Sequence, residues 1–229
     1  MSFAQNQEHA GMETIDRIPV RTYSQIAYDE LRRRILDGRL PAGAKVTVRI
    51  IAEEFGLSPT PIKNALTALE AEGFLESVAH RGHSVPVIDR QTLTEAFEVL
   101  EALDVFVAKK IASSPNRSEI VARLQELVDH GDASESANDG SGYELDFHKV
   151  MWQYAENQQL IAIAERQRGI VLVASGGLSE PPERRRQVKA EHQAIIDRLK
   201  SGDVDGMTAA CATHLKESAV VIIEGKGTR

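Results

Sequence analysis

Apolar residues recur at helical spacing along most of this chain, and glycine- and proline-rich turns cut the pattern into segments. Over residues 22–37, Ile26, Leu31 and Ile35 share a face beside the basic run Arg32–Arg34, and Gly38 ends the helix. Leu40-Pro41-Ala42-Gly43 reads as a turn. A second short helix spans Val48–Phe55 and stops at Gly56. Ser58 then suits an N-cap, with Pro59 at the first helical position, where its missing N–H costs little. The third helix carries Ile62, Ala65, Leu66 and Leu69 on one face, and Gly73 fits its C-terminal cap. Residues 74–78 and 84–88 read as two short strands around His80-Arg81-Gly82-His83.

Beyond Asp89 the segments lengthen. Thr92 and Glu95 have capping-box spacing, ahead of a stripe formed by Leu93, Ala96, Phe97, Leu100, Leu103, Val107 and Ile111. Asn116 and Glu119 repeat that spacing before Ile120, Leu124, Leu127 and Val128. A loop rich in Gly, Ser and Asp over residues 131–142 leads to a helix at 143–154, and another is predicted at 158–173. A break beginning at Ser175 precedes two last helices, at 190–200 and 206–223. The fold class predicted is mainly α. A winged helix-turn-helix domain at 21–88 precedes an all-α bundle at 91–225, and residues 1–20 form a mobile tail.

Composition narrows the function classes. No stretch approaches the roughly 20 apolar residues of a membrane span, and the first 20 residues lack the apolar core of a secretory signal. The single cysteine, Cys211, excludes an internal disulfide and fits a reducing, cytoplasmic location. The net charge of −7 argues against indiscriminate nucleic-acid binding. That acidity sits mainly in the second part: residues 1–85 carry 10 Lys/Arg against 11 Asp/Glu, and residues 86–229 carry 17 against 23. A local basic face in the first part remains open.

Two constellations carry candidate chemistry. In a helix-turn-helix the second helix braces the third, whose N-terminal residues enter the major groove. The turn Phe55-Gly56-Leu57-Ser58 fits that geometry, and Thr60, Lys63 and Asn64 would then present donors to phosphates or base edges. Arg81-Gly82 at the wing tip offers a cation on a bare backbone. The plainer alternative is a small helical domain with a solvated charged face. In the second part, Glu144 and His148 stand four residues apart on one helical face, and His192 and His214 lie among apolar neighbours on two later helices. Three imidazoles and a carboxylate suit Zn²⁺, Ni²⁺, Mn²⁺ or Fe²⁺. Asp146 points off that face. A single helical histidine, taken alone, is more often a hydrogen-bonded structural residue.

The first part resembles the GntR family of bacterial transcription regulators. The resemblance rests on residues 35–43, on 49–58, on Thr60-Pro61-Ile62-Lys63-Asn64-Ala65-Leu66 and on Leu69-Glu70-Ala71-Glu72-Gly73-Phe74-Leu75. It implies that Arg49, Ser58, Thr60 and Lys63 contact DNA, with Arg81 and Gly82 at the wing. The chain departs from that pattern at Pro59 and Lys63, where the family has arginines able to hold a guanine bidentately. The second part is similar to the FCD ligand-binding domain of the FadR subfamily. Here Phe147-His148, Asn157-Gln158-Gln159-Leu160, residues 191–196, Gly202-Asp203 and His214-Leu215 carry the likeness. It implies a metal held by one Asp and three His, with His148, His192 and His214 at the histidine positions and Glu144 replacing the aspartate. Leu100 stands where many members have an arginine that meets an effector's carboxylate. Arg166 and Arg168 are weaker substitutes for that anchor.

Together these readings predict a homodimeric, metabolite-responsive regulator binding double-stranded, inverted-repeat operator DNA, with a divalent metal and a small effector, a carboxylate being the favoured class. The alternative is a metal-dependent hydrolase using the three-His, one-Glu site to activate water.

Overall fold

A computed structural model describes residues 21–79, 81–130, 141–176 and 182–226, with the side chains of 141–146, 182 and 226 outside that description. The 1–20 tail, most of the 131–142 loop and His80 lie outside the described residues. Helix α1 (Tyr23–Leu36) opens on a capping box in which Thr22 and Gln25 satisfy each other's backbone N–H groups. Strand β1 (Lys45–Val46) leads to α2 (Val48–Phe55), capped by the Thr47 side chain on the Ile50 N–H. Gly56 takes the left-handed conformation (φ 63°) that closes α2 and turns the chain into α3 (Pro59–Ala71). Ser58 has N-cap backbone geometry but makes no side-chain capping bond, and Pro59 occupies the first turn. Ala27, Leu31, Ile62, Leu66 and Leu69 bury the inner faces of α1 and α3 in one core with Val46, Phe74 and Val85.

The wing departs from the sequence reading. β2 is Glu76–Val78 and β3 is Gly82–Ser84, and β1 adds a third strand, giving the antiparallel order β1-β3-β2. The expected strand at 84–88 shares only Ser84 with β3, because pairing follows the tight turn: Val78 opposes Gly82 and Glu76 opposes Ser84. Two-residue β1 is too short to produce an alternating pattern, yet Lys45 and Val46 pair with Ser84 and His83.

Among the described residues six helices follow: α4 (Arg90–Ala112), α5 (Arg117–His130), α6 (Ser141–Tyr154), α7 (Gln158–Ser175), α8 (Pro182–Ser201) and α9 (Val204–Lys226). α4 is capped by Asp89, whose carboxylate accepts from the Thr92 N–H at 2.7 Å; the cap expected at Thr92 lies inside the helix. α8 begins earlier than its apolar stripe suggests because its first turns are rich in charge, from Glu183 to Arg186, and α9 begins two residues earlier than expected, at Val204. These helices share a second core, with Leu93, Leu100, Ile111, Phe147, Trp152, Ile195, Leu199 and Cys211 buried. Cys211 fills an apolar helix face, and burial pushes its thiol pKa well up.

α7 joins the two cores. Leu172 is buried with the winged-helix core, and Val173 packs on it. Gly169 lies so close to the Glu72 carbonyl that a Cβ there would meet its oxygen at 1.7 Å. Gly73 (φ 78°) faces the Arg166 carbonyl, where a Cβ would stand 2.7 Å away. The C-terminal end of α3 thus rests directly on the backbone of α7.

Candidate functional site

The DNA-facing candidates lie on one small domain and in solvent. Arg49 on α2, Ser58, Thr60 and Lys63 at the start of α3, and Arg81 and Gly82 at the β2–β3 turn are all exposed. Ile62, Ala65 and Leu66 face inward from the same helix, so the apolar positions leave Thr60, Lys63 and Asn64 on the outer side. Arg49 makes an exposed ion pair to Glu53 at 3.0 Å, which a phosphate could replace at little cost.

In the bundle, His148, His192 and His214 come together from α6, α8 and α9, each 2 % exposed or less, with one ligand atom from each within 4.8 Å of the others. They converge because each occupies the inward stripe of its helix, beside Phe147, Ile195 and Leu215 respectively. The His192 ring stacks flat on Phe147, centroids 3.8 Å apart and planes inclined by 3°. His148 turns its Nδ1 to an Asp104 oxygen at 2.8 Å, and His214 turns its Nδ1 to Glu191 at 2.7 Å. Their Nε2 atoms meet at 3.1 Å.

The charges around this cluster are set by burial and partners. Burial pushes the Asp104 carboxyl upward, but attraction to His148 and hydrogen bonds from His148 and Trp152 outweigh it and hold its pKa below the usual value. Glu191 behaves alike: hydrogen bonds from His214 and Arg184 overcome burial and lower it. Burial lowers His148 despite the attraction of Asp104, and burial followed by repulsion from its cationic neighbours drives His192 well below its ordinary pKa. With both carboxylates ionised, they accept and the Nδ1 atoms donate. When a ring that donates from Nδ1 is neutral, its Nε2 presents a lone pair, and the Nε2 atoms of His148 and His214 face one point, an arrangement that a proton or a metal cation satisfies. A nitrogen-rich, borderline-soft donor set of this kind fits a divalent transition metal. His148, His192 and His214 would hold it, and it would supply a Lewis-acidic centre for an effector oxygen. Glu144 is one helical turn before His148 on α6, but its side chain lies outside the described residues.

The two arginines separate. Arg168 on α7 is 2 % exposed, and its charge acts on both His148 and His192. Arg166 is exposed and reaches the Glu70 carbonyl at 3.4 Å, at the junction with α3. Leu100 is buried in the bundle core. A cavity of about 360 Å³ between α8 and α9, lined by Glu191, Ala194, Ala210 and Thr213 among others, borders His214.

Sequence reasoning passed over Asp104, Trp152 and Arg184. The available signal was an acid in the α4 stripe: Phe97, Leu100, Asp104, Val107 and Ile111 are all buried at spacings of three and four. A buried acid in an apolar stripe requires a partner, and Trp152 Nε1–H and His148 supply it.

Residues 22–85 match the bacterial regulatory proteins of the gntR family, and residues 95–217 match the FCD domain. The chain belongs to the GntR family and carries a C-terminal FCD domain. This GntR-family protein is 27 % identical over 207 residues to the "Probable D-xylose utilization operon transcriptional repressor" of Paenarthrobacter nicotinovorans, covering 88 % of this chain and 89 % of that one. It is 25 % identical over 204 residues to the "HTH-type transcriptional repressor RspR" of Escherichia coli K12, covering 87 % and 88 %. Its fold is similar to the solved structure of E. coli McbR/YncC, with a TM-score of 0.73 at 19 % identity, covering 90 % of this chain and all of that one. The GntR-family chain is accordingly a DNA-binding transcriptional regulator and not an enzyme. No helix among its described residues is long and apolar enough to cross a membrane.

Proposed function

We propose that this regulator binds an inverted-repeat operator as a homodimer and responds to a small acidic metabolite that docks at a divalent metal in the FCD bundle. The observation that carries the metal is the 3.1 Å approach of the His148 and His214 Nε2 atoms, with His192 beside them. Glu144 would complete the set from the same helix face as His148. Arg168 supports an acidic effector: a buried guanidinium beside a metal-held carboxylate would neutralise it and form charge-assisted hydrogen bonds. Arg166, engaged at the α3 junction, is the weaker effector ligand.

Dimerisation is supported by apolar surface on the two long helices that pack together. Val99 and Phe106 lie two turns apart on α4 and are 37 % and 51 % exposed; Val220 on α9 is 50 % exposed. A second copy covering that surface would pair two recognition helices, and two-fold symmetry in the protein calls for an inverted repeat in the DNA. Arg49, Ser58, Thr60, Lys63, Arg81 and Gly82 are the proposed DNA contacts. Lysine in the groove acts as a point charge, so the operator preference differs from that of relatives with arginine there. A cytoplasmic location follows from the role.

The test is metal analysis of protein purified without added metal, followed by operator binding by fluorescence anisotropy across a panel of carboxylates. Bound transition metal and a carboxylate that changes operator affinity are expected. Metal-loaded protein whose DNA affinity no carboxylate alters would reduce the ion to a structural staple, because an effector must favour one arrangement over the other to act.

A further inference from the structure

We infer that Asp104 and Glu191 are positioning residues for the metal site: by accepting from Nδ1 of His148 and His214 they fix both rings in the tautomer whose Nε2 is free to bind the ion. This rests on the proposed metal reading but concerns two residues that are not ligands themselves. Asp104 is buried to 1 % exposure, and its oxygens are divided between two donors: Oδ2 takes His148 Nδ1–H at 2.8 Å, and Oδ1 takes Trp152 Nε1–H at 2.6 Å. Glu191 is held by a forked pair of bonds from Arg184, at 2.8 and 3.3 Å, and Arg184 also donates to Ser218 Oγ at 2.8 Å. Neither carboxylate is free to turn away. Each histidine is therefore gripped at Nδ1 by an acceptor that is itself pinned, and the outer partner decides which nitrogen carries the proton.

The division at Asp104 gives the inference a sharp test. An asparagine at that position offers one oxygen and one NH₂ group. If the oxygen stays with Trp152, the NH₂ faces His148 Nδ1, which must then accept; the proton moves to Nε2 and blocks the ligand atom. Removing the indole donor with Trp152→Phe frees the asparagine oxygen to face His148 and restore the first tautomer.

The experiment uses the full chain as wild type, Asp104→Asn, Trp152→Phe and the double variant. Zinc affinity is measured by competition with a chelator, and the His148 tautomer by nitrogen-15 NMR on metal-free protein. Metal-free wild type should show His148 protonated at Nδ1. Asp104→Asn should bind zinc about 10- to 100-fold more weakly. Trp152→Phe alone, which loosens Asp104 but leaves its carboxylate able to accept from His148, should weaken zinc binding less than Asp104→Asn, and the double variant should recover a measurable part of the Asp104→Asn loss. A purely structural role for Asp104 predicts that the two substitutions add, so a double variant no tighter than Asp104→Asn overturns the inference. Unchanged affinity in Asp104→Asn, or a metal-free wild type with His148 protonated at Nε2, overturns it equally. Wild type that binds no zinc, with the Nδ1 tautomer in place, would instead overturn the metal reading and leave the carboxylates as anchors of a polar core. The tautomer measurement needs no variant, so it stands even if Asp104→Asn does not fold.

Discussion

His148 and His214 face each other through their Nε2 atoms at 3.1 Å, while their Nδ1 atoms are turned outward to Asp104 and Glu191. His192 closes the third side on a flat stack with Phe147. Replacing His192 with alanine should leave two imidazoles of three and lower bound metal in the purified protein, read by mass spectrometry of the metal. Full occupancy in that variant would remove His192 from the ligand set.

The same burial sets a pH dependence for the metal-free protein. His192 and His148 have folded pKa values below the ordinary 6.5, so the unfolded chain takes up protons at a pH where the folded chain does not. Stability from this source is fully present above about 6.5 and is lost as pH falls from there toward the folded values. Thermal unfolding of metal-free protein should therefore show a falling melting temperature below pH 6.5, and His192→Gln should flatten part of that slope. An unchanged slope in the variant would place the effect elsewhere.

At the proposed DNA face, Lys63→Ala and Arg49→Ala should both weaken operator binding. Loss of a base contact costs about 1–3 kcal/mol, and loss of a phosphate contact lowers the slope of log affinity against log salt by about 1. Anisotropy titrations at several salt concentrations distinguish the two kinds of contact. Wild-type affinity and slope in both variants would sink the assignment.

Gly169→Ala introduces a methyl group where the Glu72 carbonyl oxygen already stands, 1.7 Å from the Cβ position. Neither backbone can yield without parting α7 from α3, and forced overpacking typically costs about 1–3 kcal/mol. The variant should melt at a lower temperature than Ala162→Gly, an exposed change on the same helix that only removes a methyl. Equal melting temperatures would mean that the junction gives way without cost.

The outline of the fold was legible because it rests on local signals. Gly56 and Pro59 mark the turn between α2 and α3, and the three histidines stood out as polar residues on apolar stripes. What escaped the sequence depends on long-range pairing. β1 exists because Lys45 and Val46 meet Ser84 and His83 some 40 positions later in the register. Asp104 finds its partners 44 and 48 residues away, and nothing near it in sequence announces them. Gly169 reads as an ordinary weak point in a helix; its use is apparent only beside Glu72. Capping at Asp89 instead of Thr92 was a local competition, won by the carboxylate at the start of α4.

Arg168 and Gly169 are consecutive residues of α7. One is buried in the bundle where its charge is felt by the histidines, and the other bears on the backbone at the end of α3, the proposed recognition helix. A single peptide bond thus separates the residue that would sense an effector's charge from the residue that touches the proposed DNA reader. A small rotation or slide of that helix would be registered at both ends at once, with no relay of intermediate side chains. Substitutions that abolish the proposed effector response while sparing operator binding should then cluster on α7.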